Sequence, residues 1–155
     1  MKTMTRKTAL VTLAALALAV IAPLATQAET PGVHPAYLRA LEDLRHARAQ
    51  LERRKGDAEV KFDEHVAIKE IDAAIQEIKN AAIDDGKNLD NHPPVDVRAD
   101  YRGRLRRASE LLVKAREDVK GEEDNGFAHG LRHRAIEHIN AAITFTEQGI
   151  TDAHR

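Results

Sequence analysis

Cysteine is missing from all 155 residues, tryptophan is missing too, and aromatic residues amount to 3%. Without cysteine there is no disulfide framework, no thiolate-held zinc, no covalently attached c-type haem and no thiol nucleophile. With so few rings, any core must be built from alanine, leucine and isoleucine. Serine occurs once, as Ser109, inside a helical stretch with no histidine near it in sequence. A Ser-His-Asp arrangement therefore has no support, and no carboxylate pair stands out for acid-base chemistry, so the chain does not read as an enzyme. An excess of one charge is lacking as well, since 24 Lys and Arg face 25 Asp and Glu. That balance gives no footprint for nucleic acid or for a membrane surface. Strand alternation and a glycine-rich phosphate loop are also wanting.

What is present begins with an export signal. Lys2, Arg6 and Lys7 precede an apolar stretch from Ala9 to Ala22, and Pro23 and Thr26-Gln27-Ala28 follow. This pattern predicts a signal peptide over 1–28, cleaved after Ala28. The apolar stretch is shorter than the roughly 20 residues a spanning helix needs, which disfavours an uncleaved anchor. The expected product is periplasmic or secreted, with no membrane attachment after cleavage. The leader holds three basic residues, no acidic ones and both methionines, so the mature chain carries a charge of −4. The mature chain then has no sulfur at all, and any metal would have to be held by histidine and carboxylate.

The mature part is written twice. His65-Val66-Ala67-Ile68-Lys69-Glu70-Ile71-Asp72-Ala73-Ala74-Ile75 returns, 68 residues later and without a gap, as His133-Arg134-Ala135-Ile136-Glu137-His138-Ile139-Asn140-Ala141-Ala142-Ile143. At the same offset Arg39-Ala40, Glu42, Leu44 and Ala47-Arg48 fall on Arg107-Ala108, Glu110, Leu112 and Ala115-Arg116. A repeat of this kind reports architecture. Apolar residues at three- and four-residue steps predict helices over about 35–54, 63–83, 97–120 and 127–150. Ile68, Ile71 and Ile75, echoed by Ile136, Ile139 and Ile143, form the expected common seam, with Ala67, Ala74 and Ala81 flanking the first set. Thr146 interrupts the second seam. The predicted fold is all-α, an antiparallel four-helix bundle made of two repeated helical hairpins. Repeat 1 covers about 34–83, a linker 84–98, and repeat 2 about 99–151. The linker is rich in Asp and Asn around His92-Pro93-Pro94, but it lacks the spacing and terminal Glu of an EF-hand and reads as a solvated crossover.

The run Val33-His34-Pro35-Ala36-Tyr37-Leu38-Arg39-Ala40-Leu41-Glu42-Asp43-Leu44-Arg45, together with Ile71-Asp72-Ala73-Ala74-Ile75 and Asp84-Asp85-Gly86-Lys87, resembles a set of exported bacterial helical-bundle proteins of uncharacterised activity. The resemblance covers nearly the whole mature chain. It implies export and an all-α fold, and it brings no catalytic residues. Four-helix periplasmic cytochromes are similar in size and architecture only, and the Met axial ligand some of them use has no counterpart here.

Two constellations remain. Arg48 and Arg116 occupy equivalent places beside the seam, where each should lay its stem over the core and pair across its hairpin; Glu64 and Asp72 are the candidates for Arg48. His65 and His133 are likewise equivalent, and His129 lies four residues before His133 on one helical face, a spacing that suits two imidazoles on one ion. In an up-down bundle the second and fourth helices stand diagonally and run parallel, which would bring His65, His129 and His133 together at one end. Zinc, copper or haem are the cofactors such a site would take. The leading expectation is instead a periplasmic helical module without a cofactor that binds or scaffolds an unknown protein or small ligand through a helix face.

Overall fold

The computed structural model describes residues 35–57, 59, 62–82, 89, 95, 97–122 and 128–155. The expected signal peptide at 1–28, His34, His92 and most of the linker lie outside the described residues. Four helices pack together: α1 (Pro35–Leu51), α2 (Glu64–Ala81), α3 (Tyr101–Gly121) and α4 (Ala128–Asp152). Among the described residues there is no strand, and no helix is long and apolar enough to cross a membrane.

Local chemistry sets the helix ends. α2 starts behind Asp63, whose carboxylate accepts the Val66 amide at 3.4 Å. Glu64 follows in the first turn, where the helix dipole favours a negative charge. α3 begins at Tyr101 rather than at the expected Val97, because the Asp100 carboxylate captures the Gly103 amide at 2.7 Å. A Cβ on Gly103 would sit 2.9 Å from that carboxylate oxygen, so the tight cap depends on glycine there. α1 ends at Leu51, short of the expected Arg54, and the chain then turns through Gly56 at φ +95°. That conformation is open to glycine and strained for most other residues.

Leu44, Leu51, Ile71, Ile78, Leu105, Leu112 and Ile139 are fully buried in one continuous cluster. The seam of α2 differs from expectation. Ala67 and Ala74 are fully buried beside Ile71 and Ile78, whereas Ile68 and Ile75 are only partly buried against the cluster. On α4, Ile139 and Ile143 are buried and Ile136 stands at the edge. The buried line of α2 therefore runs Ala67, Ile71, Ala74 and Ile78, displaced by one residue at two of its positions from the expected seam. Thr146 does not interrupt the seam. It is fully buried, with its hydroxyl donating to the Ala142 carbonyl at 2.8 Å. The Phe62 ring sits over Gly149, where an added Cβ would fall 2.7 Å from the ring.

The neighbours in the bundle are α1 with α3, α2 with α4, α3 with α4, and α1 with α2. The helices thus ring the core in the order α1, α2, α4, α3. Along α1, the residues Ala36, Arg39, Asp43 and Gln50 meet Glu122, Asp118, Lys114 and Arg104 of α3 and its end, in descending order. Along α2, Glu70 meets His138, and Glu77 meets Arg134, again in reversed order. The expectation that α2 and α4 stand diagonally is therefore corrected: they are in direct contact and run in opposite directions. A diagonal arrangement would separate their Ala-lined faces, while direct packing buries both.

Candidate functional site

The three-histidine site is not assembled. His65 is exposed at the start of α2, where it lines a hollow of about 570 Å³ with Arg48, Glu52, Arg53, Glu64 and Ile68. His133 is 70% exposed near the start of α4, with Nε2 3.3 Å from the Glu137 carboxylate of its own helix. His129 is exposed one turn earlier. Because Arg134 lies opposite Glu77, His133 belongs to the end of α2 far from His65. At 1.5 Å per residue the two histidines stand about 18 Å apart along the axis. Among the described residues, no group of three His, Asp or Glu side chains is placed to hold a metal ion. The reason is geometric. Equivalent residues near the helix starts go to opposite ends when α2 and α4 run against each other, and only residues near the middle of the repeat can meet. That place is taken by Glu70 and its equivalent His138, whose Oε2 and Nδ1 are 2.7 Å apart. The one signal for this pair in the sequence is that positions 70 and 138 are equivalent in the repeat.

The arginine expectation fares better. Arg48 donates from Nε to Asp72 at 2.8 Å and from Nη1 to Glu52 at 2.6 Å. The bond to Asp72, with the nearby carboxylate charges, holds its guanidinium above the ordinary value against the opposing effect of burial. Glu64, the other candidate, is taken by Arg53 at 2.7 Å. Arg116 repeats the geometry with the charge removed, donating to Asn140, the equivalent of Asp72, at 3.2 Å. It also pairs with Glu117 at 3.1 Å. These bonds tie each helix to its successor and leave the two arginines engaged in structure.

A different arginine forms the most elaborate polar cluster. Arg104 is 1% exposed. Its Nη1 donates to the Gln50 and Glu52 carbonyls at 3.0 and 2.8 Å, closing the C-terminal end of α1, where carbonyls lack helical partners. Its Nη2 pairs with Asp57, which also accepts the Arg54 amide. The guanidinium lies over the Tyr101 ring, 5.4 Å from its centre. Burial pushes the Asp57 carboxyl up, but the bonds from Arg104 and the Arg54 amide outweigh it and hold the group below its usual value. Burial raises the Tyr101 phenol, with the nearby Arg53 guanidinium opposing. Arg53 makes its close contact to Glu64, and the buried Tyr101 hydroxyl lies beside the same guanidinium. The sequence signal for Arg104 was its place on the inward stripe of α3, three residues after Tyr101 and four before Ala108.

Around this cluster two hollows open at the same end of the bundle. One is the hollow that His65 lines. The other, about 480 Å³, is lined by Gly56, Asp57, Asp100, Tyr101 and Arg102. Both fall in the size range of small-molecule sites. No protein-family model, curated protein or solved structure matches the chain.

Proposed function

We propose that the protein is an exported binding module, an antiparallel four-helix bundle of two repeated hairpins that engages its ligand at one end rather than along a helix face. The architecture is supported by the reversed order of partners along α1 with α3 and α2 with α4. It is supported also by the bonds Arg48 to Asp72 and Arg116 to Asn140, which recur at the repeat offset. Export is supported by the leader pattern of residues 1–28. The binding end is the one that carries the turn after α1, the start of α3 and the end of α4. The observation that carries this reading is the fixed Arg104, Asp57 and Tyr101 cluster flanked by the two hollows. Among the described residues Val113 is the one fully exposed large hydrophobic side chain.

The test is a ligand screen by nuclear magnetic resonance on labelled protein recovered after export. Amide shifts concentrated at residues 52–57, 64–68 and 98–106 are expected. Shifts confined to the opposite end, or to the outer face of α4, would refute the choice of site. Mass spectrometry of the exported protein should place its first residue at Glu29, and a membrane-bound species beginning at Met1 would refute export by cleavage.

A further inference from the structure

Hairpin 1 (α1 with α2) and hairpin 2 (α3 with α4) meet face to face about an approximate two-fold axis. Glu70 of the first meets His138 of the second, its own equivalent at the repeat offset. On the other side Arg39 meets Asp118 and Asp43 meets Lys114, a ladder that leads on to the level of Leu44 and its equivalent Leu112. Each hairpin thus turns the same face to the other, the arrangement of a symmetric dimer made within one chain. A face that accepts a near copy of itself invites a true copy, and wrong pairing between chains is a hazard of repeat proteins as they fold.

The charged side chains on that face have diverged in a complementary way. If a second hairpin 1 took the place of hairpin 2, the repeat offset would put Gln50 where Asp118 stands and Val66 where Arg134 stands. Arg39 and Glu77 would then lose the counter-charges they have now. Glu70 would face Glu70 of the other copy. Ala36 would stand in for Arg104 and strand the nearly buried Asp57 carboxylate. If a second hairpin 2 took the place of hairpin 1, Arg107 would still meet Asp118, but Leu111 would replace Asp43 and Phe145 would replace Glu77. Lys114 and Arg134 would be set against apolar side chains, and His138 against His138 of the other copy. The pairing of hairpin 1 with hairpin 2 satisfies all of these charges. Exposed ion pairs gain little, so the discrimination lies in the mismatches: a stranded carboxylate and facing like charges.

We propose that these ties select the partner of each hairpin. The inner face of hairpin 1 is a recognition surface for hairpin 2, which it holds without help from the linker, and it rejects a second copy of itself. The inference rests on the reading of the fold as two repeated hairpins and assigns the charges between them a task.

A protease recognition sequence placed in the linker, 84–98, lets the full chain be cut after it has folded. The cut protein is dissociated in urea, returned to buffer, and its complexes are weighed by native mass spectrometry. Unlike pairs should outnumber like pairs by more than about tenfold, whereas indifferent faces would give equal amounts. Arg134→Glu sets a second carboxylate against Glu77 and should lower that preference several-fold. Adding Glu77→Arg should restore it, which a merely destabilising change at position 134 would not allow. In the intact chain the same substitutions should lower and then restore the melting temperature. The proposal is overturned by like and unlike pairs in equal amount, by failure of the second substitution to restore either readout, or by halves that separate and lose their helix signal once cut. In the uncut chain, bridging of Glu70→Cys to His138→Cys by a short bis-maleimide tests the arrangement itself. Bridging combined with indifferent pairing removes the selection and leaves the two-hairpin reading standing, and an absence of bridging removes both.

Discussion

Arg104 is the residue on which the site end depends most. With 1% of its side chain exposed and Asp57 at 11%, neither charge can turn to water if the other is removed. Arg104→Leu is expected to cost about 3–5 kcal/mol, because it strands the Asp57 carboxylate and two helix-end carbonyls. Urea unfolding measures this, and a loss within surface-mutation scatter would contradict the buried pairing. The same pair has a pH signature. The folded-state value of Asp57 lies below its ordinary 3.8, so its contribution is complete above that pH. It is lost as pH falls through the folded value, which wild type should show as an extra fall in stability in acid that Asp57→Asn lacks. By contrast Arg48 and Asp72 are 38% and 50% exposed, and removing that pair should change stability by less than about 1 kcal/mol. Gly149 is a packing position under a rigid ring. Gly149→Ala should cost about 1–3 kcal/mol despite the gain in helix propensity, and Phe62→Leu should relieve part of it.

Among the elements, the face of α2 shows how position outweighs residue size. Ile71 is fully buried and Ile75 only partly so, although the sequence spaces them identically along the seam. Ile71→Ala and its equivalent Ile139→Ala should each cost about 2–5 kcal/mol in thermal or denaturant unfolding. Ile75→Ala should cost clearly less, and equal losses at both positions would mean that α2 is rotated from the orientation described. The alanines explain the difference. Ala67 and Ala74 are fully buried, so enlarging either would push neighbouring helices apart. Helix periodicity identified the apolar face of each element, yet the line of closest approach lies about one residue to the side. Which line that is depends on where the neighbouring helices stand, and a helix of this kind has two neighbours. The start of α3 is similar: the charged run from Arg98 to Arg107 reads as helix throughout, and the Asp100 cap alone sets its first turn.

At the scale of the whole molecule, the direct, opposed packing of α2 and α4 has a clean chemical test, since the chain has no cysteine to interfere. Glu70→Cys with His138→Cys should be bridged readily by a short bis-maleimide, because side chains at these two positions reach each other across the helices. His65→Cys with His133→Cys should not, and zinc affinity should be indifferent to His65→Ala and His133→Ala. Crosslinking with the opposite preference would restore the diagonal arrangement and its histidine site. The amino-acid sequence by itself determined four helices, their apolar faces and the partnership of Arg48 with an acidic residue across the turn, because periodicity, caps and short loops are local properties. The doubled stretch also told which positions are equivalent. It could not tell whether equivalent positions meet, since hairpins packed side by side or end to end bury the same residues to a similar extent. Tertiary structure alone decided that His65 and His133 part while Glu70 and His138 join. It alone drew Arg104 inward to close the end of α1 while Arg102, two residues away, faces solvent. The reason is physical: burial of one guanidinium requires a particular set of acceptors from distant segments, and only the packed chain brings Gln50, Glu52 and Asp57 to one place.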